Sequence, residues 1–181
     1  MIADRKIFLM KSLFILIICL CACSGMPKTD DNLPDYINFD QLTEGYGTEN
    51  AVADNCVVFT DSRLISGEDV WKTFIAKVEK KQACCVRIAK NYSTENNLYL
   101  IDLSYEDSSF SVNTSEGLSK EYKYLNHYEI DTKNSESDHS IIDCYILINQ
   151  ENVTYEEIEK SMISSIFGDA LDHYTVYFNV Y

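Results

Sequence analysis

Residues 56–89 read CVVFTDSRLISGEDVWKTFIAKVEKKQACCVRIA, and this stretch determines which class of fold the chain can adopt. Its first five residues, CVVFT, form a short β-branched and aromatic run that is typical of a strand. Residues 66–82 repeat apolar side chains at helical spacing, with Ser66 at the N-cap position and lysines on the opposite face. Residues 83–89 return to the alternation of a strand. The stretch therefore predicts a strand, a helix and a second strand.

Outside this stretch, the remaining elements are mostly strands. Alternating or apolar runs predict strands at 98–105, 109–113, 120–129, 141–148 and 174–181. A short helix is expected at 49–54 and a polar loop at 131–139. A second main helix begins at Thr154, which forms a capping box with Glu157, and ends at Gly168. This order predicts an α+β fold, with a mostly antiparallel sheet of six to seven strands and two main helices packed on one face.

The N-terminus has the anatomy of a secretion signal. Basic residues precede an apolar run at 12–20, and LCAC at 20–23 has the spacing of a bacterial lipobox. We expect residues 1–22 to be the signal peptide and the thiol of Cys23 to be lipidated. The alternatives are an ordinary leader or an uncleaved anchor, and Cys19 and Cys21 are weaker lipidation candidates because of the residues before them. This interpretation predicts a lipid-anchored protein on the extracytoplasmic face of the cell membrane.

The sequence predicts three regions along the chain. Residues 1–22 are the leader, residues 23–47 are a lipidated N-terminus with a flexible tether, and residues 48–181 are a single α+β domain. The tether region is polar and unpatterned, and it contains both prolines of the chain. The domain is long enough to build a core without metals or cross-links.

The chain is strongly acidic, with a formal net charge of −14. Three of its fifteen basic residues lie in the leader, so the mature protein is more acidic still. Such a charge disfavours nucleic acid and anionic lipid headgroups as partners. Solubility is the simple explanation of the charge, and an acidic surface for a cationic partner is the alternative. Membrane attachment is therefore expected through the N-terminal lipid alone.

Several segments resemble a known group of proteins. The runs CVVFTDSRLISGEDVWKTFIAKV, VRIAKNY, YLIDLSYED, KEYKYL and SSIFGDALDHYTVY are similar to small lipoproteins of Firmicutes, including gut clostridia, that contain domains of unknown function. The resemblance spans about residues 48–181. It implies the same lipid-anchored location and the same fold class, and it implies no active-site residues.

Four cysteines remain after the leader and Cys23: Cys56, Cys84, Cys85 and Cys144. Export allows disulfides, and four cysteines permit three pairings. Buried core thiols are the alternative, since Cys84 and Cys144 share strand faces with apolar residues. Cys84 and Cys85 are neighbours on a strand, so both cannot face the core. A metal or redox site is less favoured because no C-x-x-C spacing occurs. The disulfide and core-thiol interpretations stay open.

No catalytic constellation is visible, and the sequence predicts neither a metal site nor a cofactor. The histidines His127, His139 and His173 lack H-x-x-x-H spacing, and a pairing of His173 with Cys144 has no local signature. No serine lies in a G-x-S-x-G elbow. The sequence therefore leaves enzymatic activity uncertain and favours its absence.

Tyrosine is the most suggestive residue type for binding. The chain contains thirteen tyrosines, and nine lie in predicted strands. We expect Tyr122, Tyr124 and Tyr128 to form a binding face, because tyrosine combines an apolar ring with a polar tip. The alternative is a sheet that uses tyrosine simply as a good strand former.

Three functions follow as hypotheses. The leading one is a non-enzymatic, lipid-anchored surface module that binds an envelope protein or a glycan. The second is an extracytoplasmic hydrolase or thiol enzyme built around Cys85 or His173. The third is an inhibitor or chaperone that adds a strand to a partner through an open sheet edge.

Overall fold

A computed structural model describes residues 36–95, 97–134, 138–163 and 170–181. The leader, Cys23 and Gly168 lie outside the described residues. Within these ranges, nine strands and three α-helices follow one another along the chain, and this content confirms the predicted α+β fold class. The strands form two sheets rather than the single sheet that the sequence pattern suggested.

The elements of the first sheet and its helix are β1 (Val57–Thr60), β2 (Arg63–Ser66), α2 (Glu68–Glu79), β3 (Cys84–Asn91), β4 (Leu98–Glu106), β5 (Ser109–Thr114) and β6 (Ser119–Tyr122). The six strands lie in the order β2-β1-β3-β4-β5-β6. Only β1 and β3 run parallel, and the connection between them includes helix α2. The hairpins β1–β2 and β4–β5 both turn through an Asp-Ser pair with positive φ, as two-residue type I′ turns require.

The second sheet contains three antiparallel strands, β7 (Tyr124–Asn134), β8 (Asp138–Ile148) and β9 (His173–Val180), in that order. The single strand predicted at 120–129 was wrong, because the chain bends at Lys123 and moves from one sheet to the other. The backbone N–H of Lys123 donates to Asn149 Oδ1 at 3.1 Å. The predicted loop at 131–139 was also wrong in its described part, since β7 and β8 continue their pairing there.

The main core lies between the two sheets and helix α2. Trp71 of this helix is 3% exposed, and its ring lies 5.0 Å from that of Tyr145 and 4.8 Å from that of Tyr177. The first sheet contributes the apolar face of β3, with Val86 and Ile88. The N-cap of α2 is Gly67 rather than the predicted Ser66, because Gly67 takes a left-handed φ of 84° close to the backbone of β1.

The two main helices do not share one face, which corrects that part of the prediction. Helix α2 packs on the inner face of the first sheet and reaches the inner face of the second through Trp71, whereas α3 (Tyr155–Ile163) packs on the outer face of the second sheet. Strand β8 explains the arrangement: Leu147 points into the main core, and Cys144 and Ile146 point toward Ile158 of α3. A strand that is apolar on both sides needs a cover on each.

Residues 36–47 pack on the outer face of the first sheet instead of standing apart as a tether. This segment contains a 3-10 helix (Phe39–Gln41) and leads into α1 (Thr48–Ala53), whose N-cap is Gly47. Tyr36, Phe39 and Tyr46 contact the cluster that contains Cys56. The described part of the predicted tether therefore belongs to the folded body, and we call residues 36–47 the N-terminal strap. Among the described residues, no helix is long and apolar enough to cross a membrane.

Candidate functional site

Lys90 lies at the end of the main core, on the inner face of β3. The alternation of this strand places Cys84, Val86 and Ile88 inside the core, and Lys90 follows them on the same face. Its register partners are Phe59 of the parallel strand β1 and Tyr99 of the antiparallel strand β4. A charged side chain therefore continues a row that is otherwise apolar.

A cavity of about 390 Å³ opens beside this lysine, between the ends of the two sheets. This volume lies within the range of small-molecule sites. Strands β1 and β3 reach the cavity with their carboxyl ends, and β9 forms the opposite side. The lining residues are Phe59, Ser62, Lys90, Asn91, Tyr92, Thr175 and Phe178.

The amine of Lys90 has one hydrogen bond to the described chain. Its Nζ donates to the backbone carbonyl of Thr175 at 3.1 Å. Thr175 pairs with Ile146 and Tyr177 pairs with Tyr145, so Val176 between them forms a β-bulge in β9. Bulges interrupt the hydrogen bonding of a sheet and are common next to functional sites. The lysine thus crosses from one sheet to the other at the point where β9 is irregular.

Burial lowers the pKa of Lys90 to about 8. Desolvation is the sole cause of this lowered pKa. Within the described ranges, no carboxylate forms an ion pair with this amine. A cation that leaves water without a counter-charge disfavours its own protonation. At neutral pH the cavity therefore holds a positive charge that is only partly compensated.

The neighbouring polar groups are mostly engaged with one another. The hydroxyls of Tyr99 and Tyr174 lie 2.7 Å apart, and burial raises the pKa of Tyr174. On the β1–β2 turn, Asp61 accepts a hydrogen bond from the backbone N–H of Ser93 at 2.8 Å, which lowers the pKa of this exposed carboxylate. Neither group neutralises Lys90.

Two other cavities differ in their lining. One of about 370 Å³ lies beside the N-terminal strap, and one of about 450 Å³ lies beside the start of α3. Their charged residues are exposed: Asp40 in the first, and Glu151, Glu157 and Lys160 in the second. Among these three cavities, only the one beside Lys90 contains a desolvated charge.

The cysteines favoured by the sequence do not form a reactive group. Cys56, Cys84 and Cys144 are free, buried thiols, and desolvation raises the pKa of each to about 11. No disulfide joins any two of these three thiols in the structure. Cys85 is half-buried on the opposite face of β3 from Cys84, as strand alternation predicted. Its pKa is also raised by burial.

The three tyrosines of the predicted binding face are not together on an exposed surface. Tyr122, in the first sheet, is 1% exposed and belongs to the main core. Tyr124 and Tyr128 lie in the second sheet, half-buried on the face that α3 covers. The Tyr128 hydroxyl donates to the carbonyl of Val153 at 2.6 Å. The sequence pattern identified good strand formers, and the change of sheet at Lys123 separates their rings.

Neither of the two histidines whose side chains the structure describes, His127 and His173, pairs with a thiol. His173 is the register partner of Ile148, whereas Cys144 pairs with Phe178, so four strand positions separate His173 from Cys144. The ring of His173 contacts the carbonyl of Leu171 at 2.8 Å. His127 lies 2.7 Å from Asp143 and stacks on Tyr145. The side chain of His139 lies outside the described residues.

The strand-adding hypothesis needs an open sheet edge, and the outer strands are β2 and β6 in one sheet and β7 and β9 in the other. The N–H of Val180 in β9 donates to the carbonyl of Ser62, which joins this edge to the β1–β2 turn. Strand β7 carries exposed acidic side chains, including Glu129, which discourage pairing with another strand.

Comparison with known protein families, characterised proteins and solved structures gives no match for this chain. The resemblance to clostridial lipoproteins therefore stays a prediction. Within the described ranges, no group of three or more His, Cys, Asp or Glu side chains is arranged to hold a metal ion.

Lys90 was missed at the level of the sequence, although a signal exists. The strand at 83–89 alternates, and continuing that alternation by one residue places Lys90 in phase with Val86 and Ile88. A lysine in phase with a buried apolar row must either reach solvent or end in a cavity. The cavity itself depends on β9, which lies some 85 residues away along the chain, and the sequence gives no sign of that contact.

Proposed function

We propose that this chain is a lipid-anchored extracytoplasmic binding protein that holds a small molecule in the cavity beside Lys90. The observation that carries the binding function is the lysine itself. Its side chain is half-buried at the end of a packed core and its amine is desolvated enough to lower the pKa; it lines a space of about 390 Å³ and donates to one backbone carbonyl. Buried charge of this kind costs stability, and a bound ligand offsets that cost.

The anchored location is supported by the leader. Residues 1–23 combine a basic start, a short apolar run and LCAC before the expected cleavage point. The test is labelling with radioactive palmitate in the native host. We expect label in the wild-type protein and none in Cys23→Ser, which should also leave the membrane fraction. A Cys23→Ser protein that stays as membrane-bound as wild type would contradict the anchor.

A binding role is favoured over catalysis by the chemistry of the site. The buried thiols of Cys56, Cys84 and Cys144 have raised pKa values and are poor nucleophiles. The described histidine side chains, His127 and His173, contact Asp143 and the Leu171 carbonyl instead. The cavity instead combines three aromatic side chains with an amine, hydroxyls and an amide. This mixture of apolar walls and a few polar groups is typical of ligand sites.

The binding function is tested with a fragment library and amide NMR on mature protein that carries Cys23→Ser. We expect hits that shift the resonances of Asn91, Tyr92 and Thr175. The variant Thr175→Phe fills the cavity and should weaken these hits about tenfold or more, which is a loss of about 1.4 kcal/mol. Asn113→Phe, at an exposed position of β5, is the matched control and should leave them unchanged. Fragments that bind Thr175→Phe as tightly as the protein without this substitution would contradict the proposed site.

A further inference from the structure

The lining of the Lys90 cavity divides into two parts with different chemistry. Phe59, Tyr92 and Phe178 supply aromatic walls, while Ser62, Lys90, Asn91 and Thr175 supply the polar part of the lining. Phe59 is 2% exposed and packs edge-on against Tyr177 at 5.0 Å, so that wall is held by the main core. A ligand that fits both parts has a flat apolar body and a polar end.

The charge of the polar end follows from the groups around it. Lys90 is the one cationic residue among the lining residues, and within the described chain its amine contacts a carbonyl oxygen, Thr175 O at 3.1 Å. A neutral ligand would leave the ammonium without a counter-charge, and a cationic ligand would add repulsion. An anionic group supplies the missing charge and forms a charge-assisted hydrogen bond.

The number of negative charges on the ligand is limited by the charges of the protein. One ammonium compensates one negative charge, and the chain as a whole carries a formal net charge of −14. A second negative charge on the ligand would be desolvated without a partner and repelled by the surrounding field. Carboxylate geometry suits the site because one oxygen can face the amine while the other faces a hydroxyl or amide donor.

We propose that the ligand of this cavity is a carboxylate monoanion with a flat apolar body, whose carboxylate pairs with the ammonium of Lys90. This inference rests on the proposed binding function and specifies the ligand class for the same site. It excludes phosphate dianions, polyanions and cations as preferred occupants.

The first test compares probes of one shape and different charge: benzoate, benzamide, benzylamine and the dianion phthalate. Binding is followed by the amide resonances of Asn91, Tyr92 and Thr175 in mature protein carrying Cys23→Ser. We expect benzoate to bind about tenfold more tightly than benzamide, phthalate to bind no better than benzoate, and benzylamine to produce no shift. Benzamide or benzylamine binding as tightly as benzoate would overturn the carboxylate assignment and leave the binding function intact. A cavity that responds to none of the four probes would contradict both.

A pair of variants separates the role of the charge from that of the cavity. Lys90→Met keeps an apolar side chain of similar length and should reduce benzoate affinity to that of benzamide. Lys80→Met removes an exposed lysine just after α2 and should change neither. If Lys90→Met still binds benzoate more tightly than benzamide, the preference for the carboxylate comes from another group. Amide spectra of each variant establish that it is folded before affinities are compared.

A measurement on the unmutated site gives an independent answer. Pairing with an anion favours the ammonium, so benzoate binding near pH 8 should take up part of a proton from the solution. Calorimetry in two buffers of different ionisation enthalpy measures that uptake, which should vanish at pH 6. Asp61, Tyr92, Tyr174 and Tyr99, which is hydrogen-bonded to Tyr174, also face the site. The hydrogen bond from Ser93 lowers the pKa of Asp61, and burial raises the pKa of Tyr92 and of Tyr174, so these three groups do not exchange protons between pH 6 and pH 8. Binding without proton uptake at pH 8 would overturn the proposal.

Discussion

Two parallel hydrogen bonds join the guanidinium of Arg87 to the carboxylate of Asp102, from Nε to Oδ1 at 2.6 Å and from Nη2 to Oδ2 at 2.7 Å. The two residues are register partners on β3 and β4. The rings of Tyr36 and Phe39 from the N-terminal strap lie over the guanidinium, with centroid distances of 4.9 and 4.8 Å. Arg87 is 1% exposed, and this buried cation has a carboxylate partner, whereas within the described chain Lys90 on the opposite face of the strand donates to a carbonyl.

Removing one partner of the Arg87–Asp102 pair should destabilise the protein more than replacing both partners by apolar residues. We expect Asp102→Asn to lower the free energy of unfolding by about 3 kcal/mol, because it leaves a buried guanidinium without its counter-charge. The double variant Arg87→Met with Asp102→Leu should lose less than this, because no charge stays buried. Urea denaturation of the single and double variants measures both values. A double variant less stable than Asp102→Asn would show that the pair contributes net stability.

The N-terminal strap should behave as part of the folded body. We expect Phe39→Ala to lower the free energy of unfolding by about 2 kcal/mol, since it removes a half-buried ring and its contact with Arg87. Ile37→Ala is the matched control, because Ile37 is 56% exposed and should change stability by less than about 0.5 kcal/mol. Equal effects of the two substitutions in denaturant titrations would mean that the strap does not stabilise the body.

The sequence was sufficient where local signals agree with the final fold. The helix around Trp71 and Phe74 was predicted from its apolar spacing, and the capping box of α3 forms as expected: the N–H of Thr154 donates to Glu157 Oε2 at 2.8 Å. Strands β4, β5 and β9 were predicted within one or two residues of their observed bounds. These features depend on neighbours along the chain.

The sequence was insufficient where the chain changes sheets. Tyr122 and Tyr124 belong to one uninterrupted alternating run, and nothing at Lys123 resembles a turn signal, yet the two tyrosines lie in different sheets. Strand β2 was missed because its hairpin turns through Asp61 and Ser62, both with positive φ, instead of through a glycine. The Lys90 cavity depends on the same two features, since it lies between the sheets and against the β1–β2 turn.

The buried thiols should be unreactive in the native protein. Desolvation raises the pKa of Cys56, Cys84 and Cys144 to about 11, so at pH 8 only about one molecule in a thousand carries the thiolate. We expect iodoacetamide to label these three residues about a hundredfold more slowly in native than in guanidinium-unfolded protein, measured by peptide mass spectrometry. Comparable rates in the two states, or a disulfide-linked pair of these peptides, would contradict the structure.

The last prediction concerns the effect of Lys90 on stability at different pH values. The native pKa of about 8 is below the unfolded value of about 10.4, so the native state releases this proton at lower pH. Protonation therefore penalises the native state below pH 8, and the penalty disappears as the pH rises toward 10.4. We expect the free energy of unfolding of wild type, relative to Lys90→Met, to increase by at most about 1 kcal/mol between pH 8 and pH 9.

Urea titrations at pH 7, 8 and 9 measure this difference, and subtracting Lys90→Met removes the contributions of other groups that titrate in the same range. Lys80→Met is the control, because Lys80 is exposed and does not line the cavity, and its stability should run parallel to that of wild type at every pH. Benzoate should reduce the pH dependence of wild type, because pairing keeps the amine protonated in the native state. A wild-type protein that does not gain stability relative to Lys90→Met over this range would mean that the amine is solvated, and the cavity would then lack the buried charge that distinguishes it.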